Sequence, residues 1–242
     1  MPNSVRRLII MITLAAAAAA QGRVAVRAVV LQDQTGSVNW TRTPTLCYED
    51  LKPLVNLVRE RSGEVAFGLI RDSSNRGLIR LAVTTPEPVG LQTPAKWSAN
   101  PFIANRERAA FQQKQQAREK ERQVWAAANN PLMNSFQAGV ESLLKAPDYA
   151  KRTDVYGALR RADSFLAEDA RAWGGAVYST AIVISDGRDN QRGATPEWRS
   201  KVQVLAVNSE DSIGDLARLQ PPPKRFESIQ AAIRDFITGS SR

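Results

Sequence analysis

Three oxygen-bearing side chains stand on alternate positions in one short stretch of this chain. They are Asp33, Thr35 and Ser37 in Asp-Gln-Thr-Gly-Ser, directly after an apolar run over residues 24–32. A carboxylate and two hydroxyls at i, i+2 and i+4, on a loop leaving a buried strand, are hard ligands that converge on one point. Such a set suits Mg²⁺ or Mn²⁺, which take carboxylate, hydroxyl and water oxygens in preference to sulfur. The same letters also suit a nucleophilic aspartate, so the loop by itself leaves binding and catalysis both open.

Two further segments carry chemistry. Thr153 opens the amphipathic stretch Thr-Asp-Val-Tyr-Gly-Ala-Leu. Its plainest role is to cap a helix, because Thr and Asp accept backbone N–H bonds at helix starts. Asp186 closes the apolar run Ala-Ile-Val-Ile-Ser-Asp-Gly, and an Asp-Gly at a strand end is often just a turn. The three segments acquire meaning together. Where the first strand neighbours the strand over 178–185, their C-terminal ends meet at a topological switch point, the crevice in which open α/β sheets bind ligands.

Composition narrows the chemistry further. The 242 residues contain no histidine, which excludes imidazole ligands and triads that use His as the base. The single cysteine, Cys47, rules out an intrachain disulfide and a thiolate zinc cluster; it reads as a small, half-buried helix residue. The net charge of +9 favours acidic partners or anionic surfaces in general. The basic residues are dispersed and no nucleic-acid reader motif occurs, so no specific nucleic-acid binding is expected.

The elements that must position these residues alternate. Strands are predicted over 24–32, 64–70, 78–83, 178–185 and 201–207, with 64–70 and 78–83 forming a hairpin through a turn that includes Asn75 and Gly77. Helices are predicted over 43–61, 105–128, 132–144, 153–173, 212–219 and 226–237 from their apolar spacing. Strands separated by helices imply a mostly parallel sheet covered on both faces. Residues 86–130 stand apart as a polar helical insertion with a run of alternating charges at Arg118–Arg122. Such a run is usually a solvated face; the sharper reading is a protruding arm that meets a partner or an acidic surface.

Residues 1–20 read as a signal peptide. Arg6 and Arg7 precede the uncharged stretch 8–20, and Ala18 and Ala20 supply a small-x-small cleavage pattern. The mature chain is then expected to be secreted or periplasmic, as one domain over 21–242. Membrane contact is expected only through an uncleaved signal anchor.

On these residues the chain resembles a von Willebrand factor A-type domain with a metal-ion-dependent adhesion site. That family's pattern is Asp-x-Ser-x-Ser after the first strand, a Thr ahead of a later helix, and an Asp in a hydrophobic-Ser/Thr-Asp-Gly strand end. Thr35 departs from the pattern but keeps the hydroxyl. The likeness covers residues 23–238 apart from the insertion. It implies a doubly wound, mostly parallel α/β sheet with one antiparallel edge strand and helices on both faces. It also implies that Thr35, Ser37 and Thr153 contact a Mg²⁺ or Mn²⁺ ion directly, while Asp33 and Asp186 act largely through water. A protein partner would supply an Asp or Glu carboxylate to the ion, and the domain would be a binding module rather than an enzyme.

Asp33-Gln-Thr-Gly-Ser also resembles the Asp-Lys-Thr-Gly-Thr nucleophile loop of haloacid dehalogenase-like phosphotransferases. There Asp33 would become an aspartyl-phosphate, and Asp186 with Asp189 or Asn190 would hold Mg²⁺. Thr35 stands where most of that family has an acid, no lysine is clearly placed between the motifs, and Ser37 and Thr153 are left without a role.

Overall fold

The computed structural model describes residues 24–36, 44–74, 77–145, 150–168, 173, 176–191, 194–200, 202–208 and 212–241. The signal-like stretch 1–20, Ser37 and Asn75 lie outside these residues.

Residues Ala25–Asp33 form β1, buried along its whole length. A strand covered on both faces needs no polar alternation, which is why its sequence reads as a continuous apolar run. Tyr48–Arg61 form α1, Gly63–Ile70 β2 and Ile79–Val83 β3. Pro101–Leu144 form α2, Val155–Ala167 α3, Val177–Ile184 β4, Val204–Val207 β5, Lys224–Phe226 β6 and Ile229–Gly239 α4. A short 3-10 helix, Gly214–Arg218, lies between β5 and β6.

The fold is α/β. The six strands lie in the order β3-β2-β1-β4-β5-β6, with β2–β3 antiparallel and every other neighbouring pair parallel. Alternate residues of β1 point to opposite faces. Val26, Ala28 and Val30 pack with α1, α2 and α4, including Leu54, Phe136 and Ile233. Val29 and Leu31 pack with α3 and the 3-10 helix, including Leu159, Phe165 and Leu216. β1 and β4 are neighbours in register, Gln32 opposite Ile184, so Asp33 and Ser185 leave the sheet side by side.

At the other end of β1 sits a buried charge. Arg27 is 3% exposed and Glu64, on β2, is 4% exposed. They pair at 3.2 Å, and the other Glu64 carboxylate oxygen accepts from Arg80 Nε at 2.7 Å. Arg27 also donates to the Glu168 carbonyl at the end of α3, at 2.8 Å. Both guanidinium carbons lie 4.8 Å from the Phe165 ring centroid. This network ties α3 to the sheet at the edge away from Asp33.

Several elements differ from expectation. The two helices predicted over 105–128 and 132–144 are one helix, which runs through Pro131. Trp125, Phe136 and Val140 are buried on it, and this packing outweighs the lost proline hydrogen bond. Asn129 Nδ2 donates to the Trp125 carbonyl just ahead of the proline. Phe226, expected to begin the last helix, instead ends a short edge strand, Lys224–Phe226, paired with β5. The helix predicted over 212–219 is a 3-10 helix limited to Gly214–Arg218. Cys47 is not half-buried within a helix: it is the exposed N-cap of α1, its backbone N–H donating to Asp50.

Candidate functional site

The C-terminal ends of β1 and β4 and the segment before α3 meet at one point. Asp33 ends β1, Ser185 and Asp186 follow β4, and Thr153 precedes α3. Two backbone clamps fix the last of these. Gly36 N donates to the Ala150 carbonyl at 3.0 Å and Ala150 N to the Gln34 carbonyl at 3.1 Å, so residue 150 pairs with the loop after β1. Thr153 N donates to Asn190 Oδ1 at 2.6 Å, and Asn190 N returns a bond to the Thr153 carbonyl at 3.1 Å. Asp154 caps α3 by accepting from Gly157 N at 2.7 Å, and its own N–H donates to the Arg71 carbonyl. The capping is therefore done by Asp154, which releases the Thr153 hydroxyl for the site.

The side chains form a continuous string. Thr153 Oγ1 donates to Thr35 Oγ1 at 3.0 Å, and Thr35 Oγ1 donates to Asp33 Oδ1 at 2.8 Å. The same Asp33 oxygen accepts from Thr35 N at 3.1 Å, while Asp33 Oδ2 accepts from Ser185 Oγ at 2.6 Å. Ser185 Oγ in turn accepts from Gly187 N at 2.9 Å. Asp186 accepts from Arg188 N at 3.0 Å, with Arg188 Nε 3.9 Å from its other oxygen. Asp33, Thr35 and Thr153 are 0% exposed and Asp186 2%.

Two carboxylates in so dry a place are costly. Burial pushes the Asp33 carboxyl up from an ordinary 3.8 to about 6. Hydrogen bonds from Ser185 and Thr35 pull it down, and the neighbouring Asp186 charge adds to the rise. A turn that only glycine accommodates holds the Asp186 end. Gly187 has φ 77°, and a Cβ there would lie 1.9 Å from the Ile213 carbonyl oxygen.

Four of the five sequence-derived candidates thus lie on described residues, and Asp33, Thr35 and Thr153 are joined by hydrogen bonds, with Asp186 beside Asp33. Ser37 lies outside the described residues. Motif reading took Ser185 only as part of the strand-end pattern and Asn190 only as a possible ligand of the phosphotransferase reading, and it missed the supporting contacts that both make. Ser185 could have been found from the register, because the residue after β4 must face the end of β1. Asn190 works through its side-chain carbonyl on the Thr153 backbone, a contact across 37 residues that no local pattern signals.

No protein-family model matches the chain, and no curated protein matches its sequence. Among solved structures it is similar to proximal thread matrix protein 1 from the mussel byssus, at 11% identity and a TM-score of 0.39. That match covers 89% of this chain and 47% of the other, so the chain spans about half of that protein's length. A likeness at this level transfers no function.

The donor set fits a hard divalent cation. Every side-chain group in the string is an oxygen, and with Asp186 alongside the site holds two carboxylates. A cation here would offset the burial cost that chiefly lifts the Asp33 carboxyl, together with the smaller repulsion from Asp186. Thr35, Thr153, Asp33 and Asp186 are the described residues able to hold it. Among the described residues no cluster of three or more carboxylate, thiol or imidazole groups occurs. Asp189 Oδ1 accepts from Tyr156 N at 3.2 Å and Asn190 Oδ1 from Thr153 N, while the buried Asp189 Oδ2 has no hydrogen-bond partner among the described residues.

Proposed function

We propose that the chain is an exported binding module of the von Willebrand factor A type. In this reading a Mg²⁺ or Mn²⁺ ion is held at the switch point by Asp33, Thr35, Ser37, Thr153 and Asp186, on a doubly wound sheet formed by residues 21–242. The observation that carries it is the hydrogen-bonded string Thr153–Thr35–Asp33–Ser185 with Asp186 alongside, gathered from three segments far apart in sequence.

Each residue has a task that follows from its place. Asp33 supplies the negative charge that draws a cation, with Ser185 and the Thr35 backbone fixing its two oxygens. Thr35 and Thr153 present neutral oxygens, which leave a cation more electrophilic than a cage of carboxylates would. Asp186 balances the charge and is anchored by the Arg188 backbone. Bound there, the ion supplies a Lewis-acidic position for an Asp or Glu carboxylate of a protein partner. Burial of all four side chains favours a small ion over any larger ligand as the first occupant.

The phosphotransferase reading has less support. It leaves Thr153, bonded to Thr35 in the string, without a role, and Asp189 Oδ1 and Asn190 Oδ1 serve the backbone at the start of α3, which leaves it the buried Asp189 Oδ2.

The test is thermal. Millimolar Mg²⁺ or Mn²⁺ should raise Tm, by an amount equivalent to about 2.7 kcal/mol at a hundredfold excess over Kd. Asp33→Ala should abolish the shift, and Thr153→Ala should reduce it. A full shift in Thr153→Ala refutes the site as drawn. Turnover of an aryl phosphate that disappears in Asp33→Asn would move the assignment to phosphotransfer.

A further inference from the structure

The first half of α2 is an arm, and its position in the fold says what it faces. β3 leaves the sheet at Val83, which pairs with Gly63 at the start of β2, on the edge opposite the candidate site. From there residues 84–100 run out along the helix that returns beside them. Trp125 Nε1 donates to the Thr85 carbonyl, Arg118 Nε to the Val89 carbonyl, and Ser98 N to Glu107, so strap and helix stay in contact along the arm. Trp97 stacks edge-on against Phe111 near the far end, ring centroids 5.8 Å apart. Residues 101–124 reach about 36 Å beyond Trp125 at the α-helical rise of about 1.5 Å per residue. The other end of α2 lies near the site, Gln34 donating to the Leu143 carbonyl. Arm tip and candidate site are thus at opposite poles.

The tip is apolar and basic. Phe102 is 83% exposed and Ile103 49%, on the first turn of α2 behind the Asn100 cap. Arg106 follows Phe102 by four residues and Ile103 by three, which puts the three on one helical face. Lys96, Arg106, Arg108 and Lys114 are exposed, form no ion pair among the described residues and outnumber Glu107 there, whereas mid-arm Arg118 and Arg122 pair with Glu121 and Glu119 and leave Lys120 as the excess charge. Behind the tip a crevice of about 410 Å³ is lined in part by Lys96, Trp97, Phe111 and Lys114. A solvated spacer has no use for an exposed phenylalanine at its end, and charge segregated to that end calls for an anionic counterpart.

We propose that the tip of this arm, Phe102 and Ile103 framed by Lys96, Arg106 and Arg108, docks on an anionic lipid surface. Phe102 and Ile103 insert at the headgroup level while the cations meet lipid phosphates, the two-part attachment of interfacial helices. No described helix is long and apolar enough to cross a membrane, and the docking is superficial. The docked molecule then presents the Asp33 pole to solvent. The proposal is independent of whether that pole binds metal.

The native cysteine gives the experiment its control, because exposed Cys47 begins α1 at the Asp33 pole. An environment-sensitive dye is placed at the tip in an Ala99→Cys, Cys47→Ser full-length chain, and on Cys47 in the otherwise unchanged chain. Vesicles of phosphatidylcholine, with or without phosphatidylglycerol, are titrated in. The expected result is a blue shift and quenching by lipid-borne quencher at the tip alone, on anionic vesicles alone. Phe102→Ser with Ile103→Ser, and separately Arg106→Glu with Arg108→Glu, should each weaken partitioning about tenfold or more. All four changes are on exposed side chains and leave the fold intact. Equal shifts at both dyes, no shift at the tip, or a concentration-dependent tip shift without vesicles would each overturn the proposal, the last in favour of self-association.

Discussion

Replacing Asp33 by Asn should make the metal-free protein more stable while abolishing its response to Mg²⁺. At about pH 7.5 Asp33 is ionised in both folded and unfolded chains, but the folded carboxyl is displaced from 3.8 to about 6. A displacement of that size corresponds to a cost on the order of 3 kcal/mol for keeping the charge buried. Asparagine removes the charge and keeps the shape. Its carbonyl can still accept from Thr35 N and Oγ1, while the Ser185 hydroxyl, now opposite an N–H, must turn and forfeits about 1 kcal/mol. The net gain of about 2 kcal/mol should lift Tm by roughly 4–8 °C in chelator. The gain must also depend on pH. Below the folded value the wild-type carboxyl takes up a proton, so near pH 4.5 the cost falls to about 1 kcal/mol and the variant gains almost nothing. Paired melts of wild type and variant in chelator, at both pH values, then again with excess Mg²⁺, give the full set. If the variant is less stable than wild type in chelator near neutral pH, or its difference from wild type ignores pH, then Asp33 is not a buried charge held against its own cost.

Four other outcomes follow from the geometry. Because the raised Asp33 carboxyl favours the protonated folded state, its contribution to stability is present below about pH 4 and lost as pH rises through about 6; for the same reason apparent Mg²⁺ affinity should rise about tenfold between about pH 5 and 7, measured by calorimetry. Asp163 has the opposite sign: burial raises it, but hydrogen bonds from Ser200 and Arg199 outweigh that and hold it below the usual carboxylate range, so its contribution fades only in stronger acid. Glu64→Gln should cost about 3–5 kcal/mol in urea denaturation, because it strips Arg27 of its buried counter-charge and leaves it the Glu168 carbonyl and a longer contact to that carboxylate. Gly187→Ala, at φ 77° and with its Cβ 1.9 Å from the Ile213 carbonyl, should abolish the Mg²⁺-dependent Tm shift while far-UV circular dichroism reports an intact sheet.

The strands at the heart of the sheet were legible because burial on both faces leaves an unmistakable mark. β1, β2 and β4 are covered front and back, so their sequences are nearly unbroken apolar runs bounded by polar turns. β6 left no such mark. Its three residues include two exposed basic side chains, and backbone pairing with Leu205–Val207 is what makes it a strand. Pro131 misled in the other direction, since a proline usually ends a helix. The chain continues because Trp125, Phe136 and Val140 must all reach the same groove beside β3 and α1, and a break would release one of them. At the site, residue types and spacing announced Asp33, Thr35, Thr153 and Asp186, because oxygen chemistry is written in side chains. What they did not announce is the support. Ser185, Asn190 and Ala150 act through register and backbone, and those are properties of the assembled sheet.

The same distinction explains why the two ends of the molecule tolerate charge so differently. At the Arg27 edge a buried arginine is matched by Glu64 and by the Glu168 carbonyl, with Phe165 against its guanidinium, so the charge is compensated from within. At the Asp33 edge two buried carboxylates lie among hydroxyls, and Arg188, 71% exposed, stands 3.9 Å from Asp186. Stability alone would favour neutral side chains at that edge, as the Asp33→Asn comparison is designed to measure. In the reading proposed above, a hard cation would compensate the Asp33 edge from outside, and its chemistry matches the oxygens provided.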